Sequence, residues 1–269
     1  MSDLLTAALL GVVEGVTEFL PVSSTGHLIL ATRLLGYDAA RWALFNVVVQ
    51  LGAIAAVVVL YWRTFWTVAT GLVRLQPGAV RFVRNLLIAF LPAAVVGLAL
   101  HRKVEALLGN ATVVAWALIV GGVAILLVER FAKRGETRGI ADVPVGTAAG
   151  IGLVQCLSMV PGVSRSGATI LGGVALGVER RTAAEFSFFL AIPTMLGASA
   201  VELWGQRHAL AAGQGVSGAA MAVGLVVAFV VALGVVRGFV ALVGRHGFSP
   251  FAWYRIVAGG LALIALSRM

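Results

Sequence analysis

The chain has 269 residues, of which 60% are hydrophobic and 12% carry a charge. Its mean hydropathy of +1.02 is far above that of soluble domains, so the composition excludes an ordinary soluble protein and indicates an integral membrane protein. The single cysteine excludes an internal disulfide. The net charge of +9 does not indicate nucleic-acid binding, because the basic residues are scattered over loops between apolar stretches.

In chain order, the first apolar segment, residues 4–35, is broken in its middle by Pro, Gly, Ser and charged residues. It lacks a basic leader and a small-residue cleavage site, so we expect no removable signal peptide. Stretches of about 20 mainly apolar residues follow, the length that a helix needs to cross ~30 Å of hydrocarbon. We predict spans at residues 42–62, 83–100, 111–128, 183–203, 216–236 and 250–266.

A second broken segment, residues 145–176, lies between the third and fourth predicted spans. A shift of 141 positions aligns it with the first, placing Ser23 on Ser164 and Gly26 on Gly167. Since three spans separate the copies, the second enters the membrane from the opposite side. The sequence therefore predicts an all-α polytopic membrane protein of one domain with an inverted-topology repeat, its halves at about residues 1–140 and 141–269. Each half is one re-entrant helical hairpin plus three transmembrane helices, and in such folds the broken helices meet near the midplane to form the site.

The loops give the expected orientation, because cytoplasmic loops are richer in Lys and Arg. One side of the membrane carries Arg63, Arg74, Arg81, Arg130, Lys133, Arg134, Arg138, Arg180, Arg181, Arg237 and Arg245. The other side carries Arg41, Arg102, Lys103, Arg207 and Arg268. We therefore expect the first set in the cytoplasm and both termini outside.

The first break contains two acids, Glu14 and Glu18, which lie on one face of a helix one turn apart. Each ionisable group at membrane depth costs about 2.5–3.5 kcal/mol on insertion scales. A proton held by one of the carboxyls, or a divalent cation between them, would relieve that cost. The alternative is that both face a water-filled vestibule as solvated charges.

After Pro21 the first break continues with three hydroxyl residues, Ser23, Ser24 and Thr25, and ends at His27. Ser24 and His27 are three positions apart, close enough in a turn for the imidazole to take the hydroxyl proton, as a serine nucleophile requires. His27 acting directly on phosphorus, or as the acid for the leaving group, is equally compatible with the sequence.

The second break reads Pro161-Gly-Val-Ser-Arg-Ser-Gly-Ala-Thr169. Gly162 and Gly167 free the backbone to form an anion-binding concavity, and a helix that starts near Ser166 would add its positive end. Arg165 supplies a planar fork that matches two phosphate oxygens. The remaining hydrogen-bond donors are Ser164, Ser166 and Thr169. As an alternative, Arg165 forms a structural ion pair with Glu14 or Glu18.

Together the two breaks suit attack on a phosphoryl group, with acids and a nucleophile or base on one side and a cationic cradle on the other. The substrate should be an anion reached from within the bilayer, and a lipid phosphate or diphosphate fits best. A transporter or flippase of an anionic polyprenyl lipid is the alternative, since broken helices in inverted repeats are common in transporters. Transport, however, needs no Ser24/His27 pair.

Two motifs resemble those of the bacterial undecaprenyl-diphosphate phosphatases of the bacitracin-resistance type: Glu14-x-x-x-Glu18-Phe-Leu-Pro-Val-Ser-Ser-Thr-Gly-His27 and Gln155-Cys-Leu-Ser-Met-Val-Pro-Gly-Val-Ser-Arg-Ser-Gly-Ala-Thr169. The likeness covers essentially the whole chain. It implies removal of the terminal phosphate from undecaprenyl diphosphate, which regenerates the lipid carrier for peptidoglycan and other envelope polymers, and bacitracin resistance by competition for that substrate. It also implies a multi-pass protein of the bacterial inner membrane with its site open to the periplasm. The sequence does not decide whether the protein forms a homodimer.

The two breaks and the resemblance together lead us to expect the following roles. The catalytic group is Glu18, Ser24, His27 and Arg165. The substrate-binding group is Ser23, Thr25, Gly162, Ser164, Arg165, Ser166 and Thr169. A divalent cation, Mg²⁺ or Ca²⁺, is expected at Glu14 and Glu18. In the second half Gln155 and Met159 stand where the first half has these acids, so a single asymmetric site is expected.

Overall fold

The structure, a computed structural model, describes residues 2–34, 36, 39–108, 110–132, 135–207 and 215–268. Within these ranges the chain is helical and contains no β-strand, only an isolated bridge between Thr137 and Val178. The α-helices are α1 (Asp3–Thr17), α2 (Ser24–Leu34), α3 (Ala39–Leu60), α4 (Trp62–Val73), α5 (Pro77–Leu108), α6 (Ala111–Phe131), α7 (Val145–Gln155), α8 (Arg165–Ala175), α9 (Arg180–Gly205), α10 (Gly218–His246) and α11 (Ser249–Leu266). Short 3-10 turns lie at Ile140–Asp142 and Cys156–Met159.

Six helices, α3, α5, α6, α9, α10 and α11, are long and apolar enough to cross a membrane. The six predicted spans and the all-α polytopic fold are therefore confirmed, and the protein is a multi-pass membrane protein. The boundaries follow local chemistry. Helix α5 begins at Pro77, well before the predicted residue 83, because proline is well suited to a first helical turn. Side-chain oxygens of Asn110 and Ser217 accept backbone N–H bonds and so cap α6 and α10.

Both broken segments form pairs of short helices that pack against each other, α1 with α2 and α7 with α8. Helices α2 and α8 begin at Ser24 and Arg165, which are related by the same offset of 141 positions that aligned the sequences. The opposite insertion of the two halves stays a prediction. Lys133 and Arg134, which were used to predict the orientation, and residue 35, at the end of the first broken segment, lie outside the described residues.

Small residues bring the helix backbones close together. A Cβ at Gly11 would lie 2.6 Å from the Gly224 carbonyl oxygen, so α1 packs directly on α10. A Cβ at Gly259 would lie 2.6 Å from the Ala115 carbonyl oxygen, at the contact of α11 with α6. Close approach at small residues is typical of membrane helices, whose association relies on van der Waals packing. These contacts tie α1 and α6, which flank the first break, to the second half of the chain.

A cluster of aromatic side chains packs next to the first break. Phe19 and Phe188 meet edge to face with ring centroids 5.2 Å apart, and Phe188 continues to Phe239 at 5.9 Å. Phe19 and Phe188 are fully buried. Because Phe19 follows Glu18 directly, this packing fixes the position of the acid.

Helix α4 was not predicted. The sequence reading placed Trp62 at the end of a span and Arg63 in a loop, whereas both begin this 12-residue helix. Trp62 and Trp66 are exposed, as expected for aromatic residues at a membrane interface. Helix α4 is thus an amphipathic connection between two spans.

Candidate active site

The two breaks face a common cavity of about 210 Å³. Its lining residues are Glu18, Ser23, Ser24, Thr25, Gln50, Val104, Ser158, Met159, Pro161, Gly162, Ser164, Arg165, Thr194, Met195 and Ala198. Gln50 and Thr194 stand near the middle of α3 and α9, so the cavity lies at mid-length of two spans. It extends to Val104, near the end of α5.

Two helix N-termini are directed at this cavity, those of α2 and α8, and each is preceded by a serine of unusual backbone conformation. Ser23 and Ser164 have φ values of 72° and 76°. Their hydroxyl oxygens accept the N–H of Gly26 at 3.3 Å and of Gly167 at 3.0 Å, an N-cap bond at each helix. Because the first N–H groups of a helix and its dipole favour negative charge, the cavity is suited to an anion.

Arg165 joins the two breaks. Its Nη2 donates to Glu18 Oε1 at 2.9 Å, and its Nη1 donates to the Ser187 carbonyl oxygen at 2.8 Å. Its Nε is buried and has no hydrogen-bond partner among the described residues. The ion pair with Glu18, considered from the sequence as an alternative, is therefore formed, and it leaves the buried Nε donor without a partner.

Ser24 is bonded to an acid and not to histidine. Its hydroxyl donates to Glu18 Oε2, within the buried part of the cavity. His27, expected to take the Ser24 proton, instead donates from Nδ1 to the Ser23 carbonyl at 2.7 Å. Since a carbonyl can only accept, the Nε2 of a neutral His27 ring accepts from the Tyr254 hydroxyl at 2.7 Å. Both ring nitrogens thus form hydrogen bonds. The Ser24–His27 contact predicted from the sequence is not formed, and Ser24 bonds to Glu18 instead.

Glu14 is completely buried, and neither of its carboxylate oxygens meets a hydrogen-bond donor among the described residues. It lies near enough to Glu18 and Arg165 for their charges to act on it. A buried carboxylate without donors is costly, so a proton or a cation must compensate it. Oxygen ligands of this kind suit Mg²⁺ or Ca²⁺. Among the described residues no cluster of three or more His, Cys, Asp or Glu side chains is placed to hold a metal ion.

Two residues expected to bind phosphate use their hydroxyls within the protein. Ser166 donates to the Leu20 carbonyl at 2.7 Å, a contact that ties the second break to the first. Thr169 donates to the Arg165 carbonyl at 2.9 Å, and its hydroxyl oxygen lies 2.7 Å from that of Ser187, whose proton it can accept. Neither lines the cavity, and neither do Glu14 and His27. In this arrangement Ser166 and Thr169 hold the loop and the partner of Arg165 in place.

Residues 7–261 match the family described as "Bacitracin resistance protein BacA". The chain belongs to this family. It is 65% identical over 264 residues to the undecaprenyl-diphosphatase of Novosphingobium aromaticivorans, with 98% of each chain covered. It is 57% identical to the undecaprenyl-diphosphatase of Sphingopyxis alaskensis, with 99% of each covered. The undecaprenyl-diphosphatase 2 of Paramagnetospirillum magneticum is 52% identical, with 98% of this chain and all of that protein covered.

In this member of the BacA family, sequence reasoning missed the partners that hold the site residues. Ser187 lies within the span α9, where a lone serine carries little signal because it commonly bonds to its own helix. Tyr254 lies on α11, 227 positions from His27, and its ring stacks on the imidazole at a centroid distance of 5.6 Å. Arg255, next to it, carried the one signal that could have been read, an ionisable residue inside a predicted span.

Replacing Tyr254 by phenylalanine should lower kcat about 5- to 10-fold, the equivalent of one hydrogen bond. The change removes the donor to His27 Nε2 and keeps the stacked ring. Phosphate release as a function of pH measures the effect. Trp253→Phe is the matched control, because Trp253 is the exposed neighbour on the same helix. An unchanged rate and pH profile for Tyr254→Phe would show that this bond has no part in turnover.

Proposed function

We propose that this protein hydrolyses undecaprenyl diphosphate to undecaprenyl phosphate and inorganic phosphate, recycling the lipid carrier of cell-wall synthesis. The observation that carries the proposal is the pair of buried contacts that Glu18 makes with Ser24 and with Arg165, in a cavity between two helix N-termini. Relatives that are 47–65% identical over nearly their whole length bear the name undecaprenyl-diphosphatase. Resistance to bacitracin would follow because enzyme and antibiotic compete for the same lipid diphosphate.

The cradle for the terminal phosphate consists of the first turns of α2 and α8 with Arg165. The cap bonds of Ser23 and Ser164 serve one N–H group each and leave the preceding N–H groups of each first turn for a ligand. The unpaired Nε of Arg165 adds a charged donor. Thr25 and Gly162 line the same space. Donors arranged in advance around an anion stabilise the charge that builds up on its oxygens in the transition state.

The contact of Ser24 with Glu18 favours a serine nucleophile. Glu18 takes the hydroxyl proton while Ser24 Oγ forms a bond to the terminal phosphorus, and the bond from phosphorus to the bridging oxygen breaks. Undecaprenyl phosphate leaves with that oxygen, and a water molecule then displaces the serine to release inorganic phosphate. His27 fits the attacking role less well, since both its nitrogens are bonded and it does not line the cavity. It holds the first turn of α2 through Ser23.

A divalent cation, Mg²⁺ or Ca²⁺, would be held by Glu14 and Glu18. The donor-free oxygens of buried Glu14 fit such an ion, and Mg²⁺ binds through one or two carboxylates together with substrate phosphates and water. When bound, it would neutralise part of the charge on the phosphoryl oxygens. The serine, acid and arginine keep the roles given above.

The site should open to the periplasmic side of the bacterial inner membrane, with both termini outside. The cavity extends to Val104, at the end of α5 that leads to the α5–α6 loop. The excess of basic residues in the other loops supports a position of this loop opposite the cytoplasm. Substrate would then reach the cavity from the outer half of the bilayer.

The deciding experiment supplies purified protein in detergent with undecaprenyl diphosphate and Mg²⁺ and measures free phosphate. Detergent removes the two compartments that transport requires but leaves hydrolysis intact. Release that depends on Ser24 and Arg165 supports the phosphatase. Release no greater than that of an Arg165→Ala control would favour the transporter of an anionic polyprenyl lipid.

Glutamine in place of Glu14 should raise the Mg²⁺ concentration needed for half-maximal activity about 10-fold or more, because a neutral amide is a poorer ligand. The rate at saturating Mg²⁺ should fall less. Titration of phosphate release with Mg²⁺ and with Ca²⁺ measures both effects. Asp3→Asn on the same helix is the control, since Asp3 is exposed and pairs with Arg41. A superimposable titration curve for Glu14→Gln would place the cation elsewhere.

A further inference from the structure

Arg255 is a fully buried cation on α11, with 1% of its surface exposed. All five of its N–H donors are bonded, and every acceptor is a backbone carbonyl. Nε donates to Leu118, Nη1 to Pro21 and Val163, and Nη2 to Ala117 and Gly162, at distances of 2.9–3.2 Å.

These carbonyls belong to three separate parts of the chain. Pro21 lies in the first break, Gly162 and Val163 lie in the second, and Ala117 and Leu118 belong to α6. Among the described residues no carboxylate forms an ion pair with Arg255, unlike Arg165 with Glu18. A buried charge is tolerated when all its donors are satisfied. The charge of Arg255 therefore depends on these five carbonyls, and the carbonyls depend on Arg255 for a hydrogen-bond donor.

We propose that Arg255 is the positioning residue that aligns the two breaks for catalysis, an inference that rests on the proposed phosphatase function. Pro21 is between Glu18 and Ser24 in the chain, and Val163 precedes Ser164 and Arg165 directly. One guanidinium that binds Pro21 and Val163 through the same Nη1 atom therefore sets the distance between nucleophile and cradle.

The same bonds set the direction of the donors. In a trans peptide the C=O and the N–H point to opposite sides. Because the Val163 carbonyl points at Arg255, the N–H of Ser164 points away from it, and Ser164 lines the cavity. Because Arg255 holds the carbonyls of the second break on its own side, the N–H group of Ser164 is presented to an anion on the cavity side.

Gly121 on α6 makes room for this arrangement. A Cβ at Gly121 would collide with Nη2 and Cζ of Arg255, so any side chain there must displace the guanidinium. Gly121→Ala therefore perturbs the bonds of Arg255 while keeping the arginine and its charge. Gly260→Ala on α11 is the matched control, because a Cβ there meets nothing within 4 Å.

The test compares Arg255→Lys, Arg255→Gln, Gly121→Ala and Gly260→Ala in the phosphate-release assay, after each variant is shown to elute as a folded species from a sizing column. We expect kcat to fall about 100-fold for both Arg255 variants, since misplacement of reacting groups by about 1 Å has that effect. Lysine should not rescue, because three donors on a point charge cannot bind five carbonyls. Gly121→Ala should also lose kcat, with KM nearly unchanged, and Gly260→Ala should match the unaltered protein.

If the Arg255 variants do not fold, the kcat of Gly121→Ala alone tests the inference. The inference is overturned if folded Arg255→Lys or Gly121→Ala retains the kcat of the unaltered protein, or if the loss falls on KM alone, which would indicate affinity and not alignment. Absence of phosphate release from the unaltered protein would instead refute the proposed function, so the two failures are distinguishable.

Discussion

Alanine in place of Ser24 is expected to lower kcat about 10⁴-fold, the largest effect of any single change, because loss of a nucleophile leaves only the contribution of binding and charge stabilisation. The phosphate cradle and the Glu18–Arg165 ion pair lie on other atoms and should remain. Single-turnover phosphate release, with an acid quench to trap phosphoenzyme, measures the loss. The unaltered protein should yield a covalent phosphate on Ser24, and the variant none.

Two further variants sharpen that test. His27→Ala should still form phosphoenzyme, more slowly, since the imidazole positions Ser23 and is not the attacking group. Ser267→Ala is the control, because Ser267 lies at the exposed end of the last helix and donates to its own turn. Phosphoenzyme that persists in Ser24→Ala and disappears in His27→Ala would transfer the nucleophilic role to histidine.

Lysine in place of Arg165 should lower kcat about 100- to 1,000-fold, comparable to the loss of a preorganised donor at a developing negative charge. The guanidinium holds Glu18 with Nη2 and the Ser187 carbonyl with Nη1 while Nε stays free. An ammonium is a point charge and cannot keep these directions at once. Steady-state kinetics on undecaprenyl diphosphate in detergent checks this expectation.

The matched control for Arg165→Lys is Arg181→Lys. Arg181 forms an exposed pair with Glu185 one turn along its own helix, a contact of small energetic value. The Arg181→Lys substitution should therefore leave turnover unchanged. If Arg165→Lys turned over at a rate near that of Arg181→Lys, charge alone would suffice at this position and the forked geometry would have no role.

The membrane fold could be predicted because its signals are local. The length of each apolar stretch set the spans, and Pro, Gly and Ser in residues 4–35 and 145–176 marked where each helix breaks. The same breaks indicated the site, and the structure brings both Ser24 and Arg165 into direct contact with Glu18. The match of Ser23 with Ser164 extends from sequence to backbone conformation.

The missed features depend on contacts between distant parts of the chain. A spacing of three residues allowed Ser24 to meet His27, but Tyr254 holds the imidazole and Glu18 holds the hydroxyl. No local pattern distinguishes these two outcomes. Helix α4 was missed because its apolar residues continue those of the preceding span, so one apolar run concealed the helix break at Tyr61.

The backbone of Ser23 and Ser164 also affects how stable this protein can be. A residue other than glycine in such a sparsely populated conformation costs about 1–3 kcal/mol, which is a large fraction of a domain's total stability. Glycine would relieve that strain but has no hydroxyl to cap the helix that follows. The two residues that open the anion-binding turns therefore lower the thermal stability of the protein, and their cap bonds recover part of that loss.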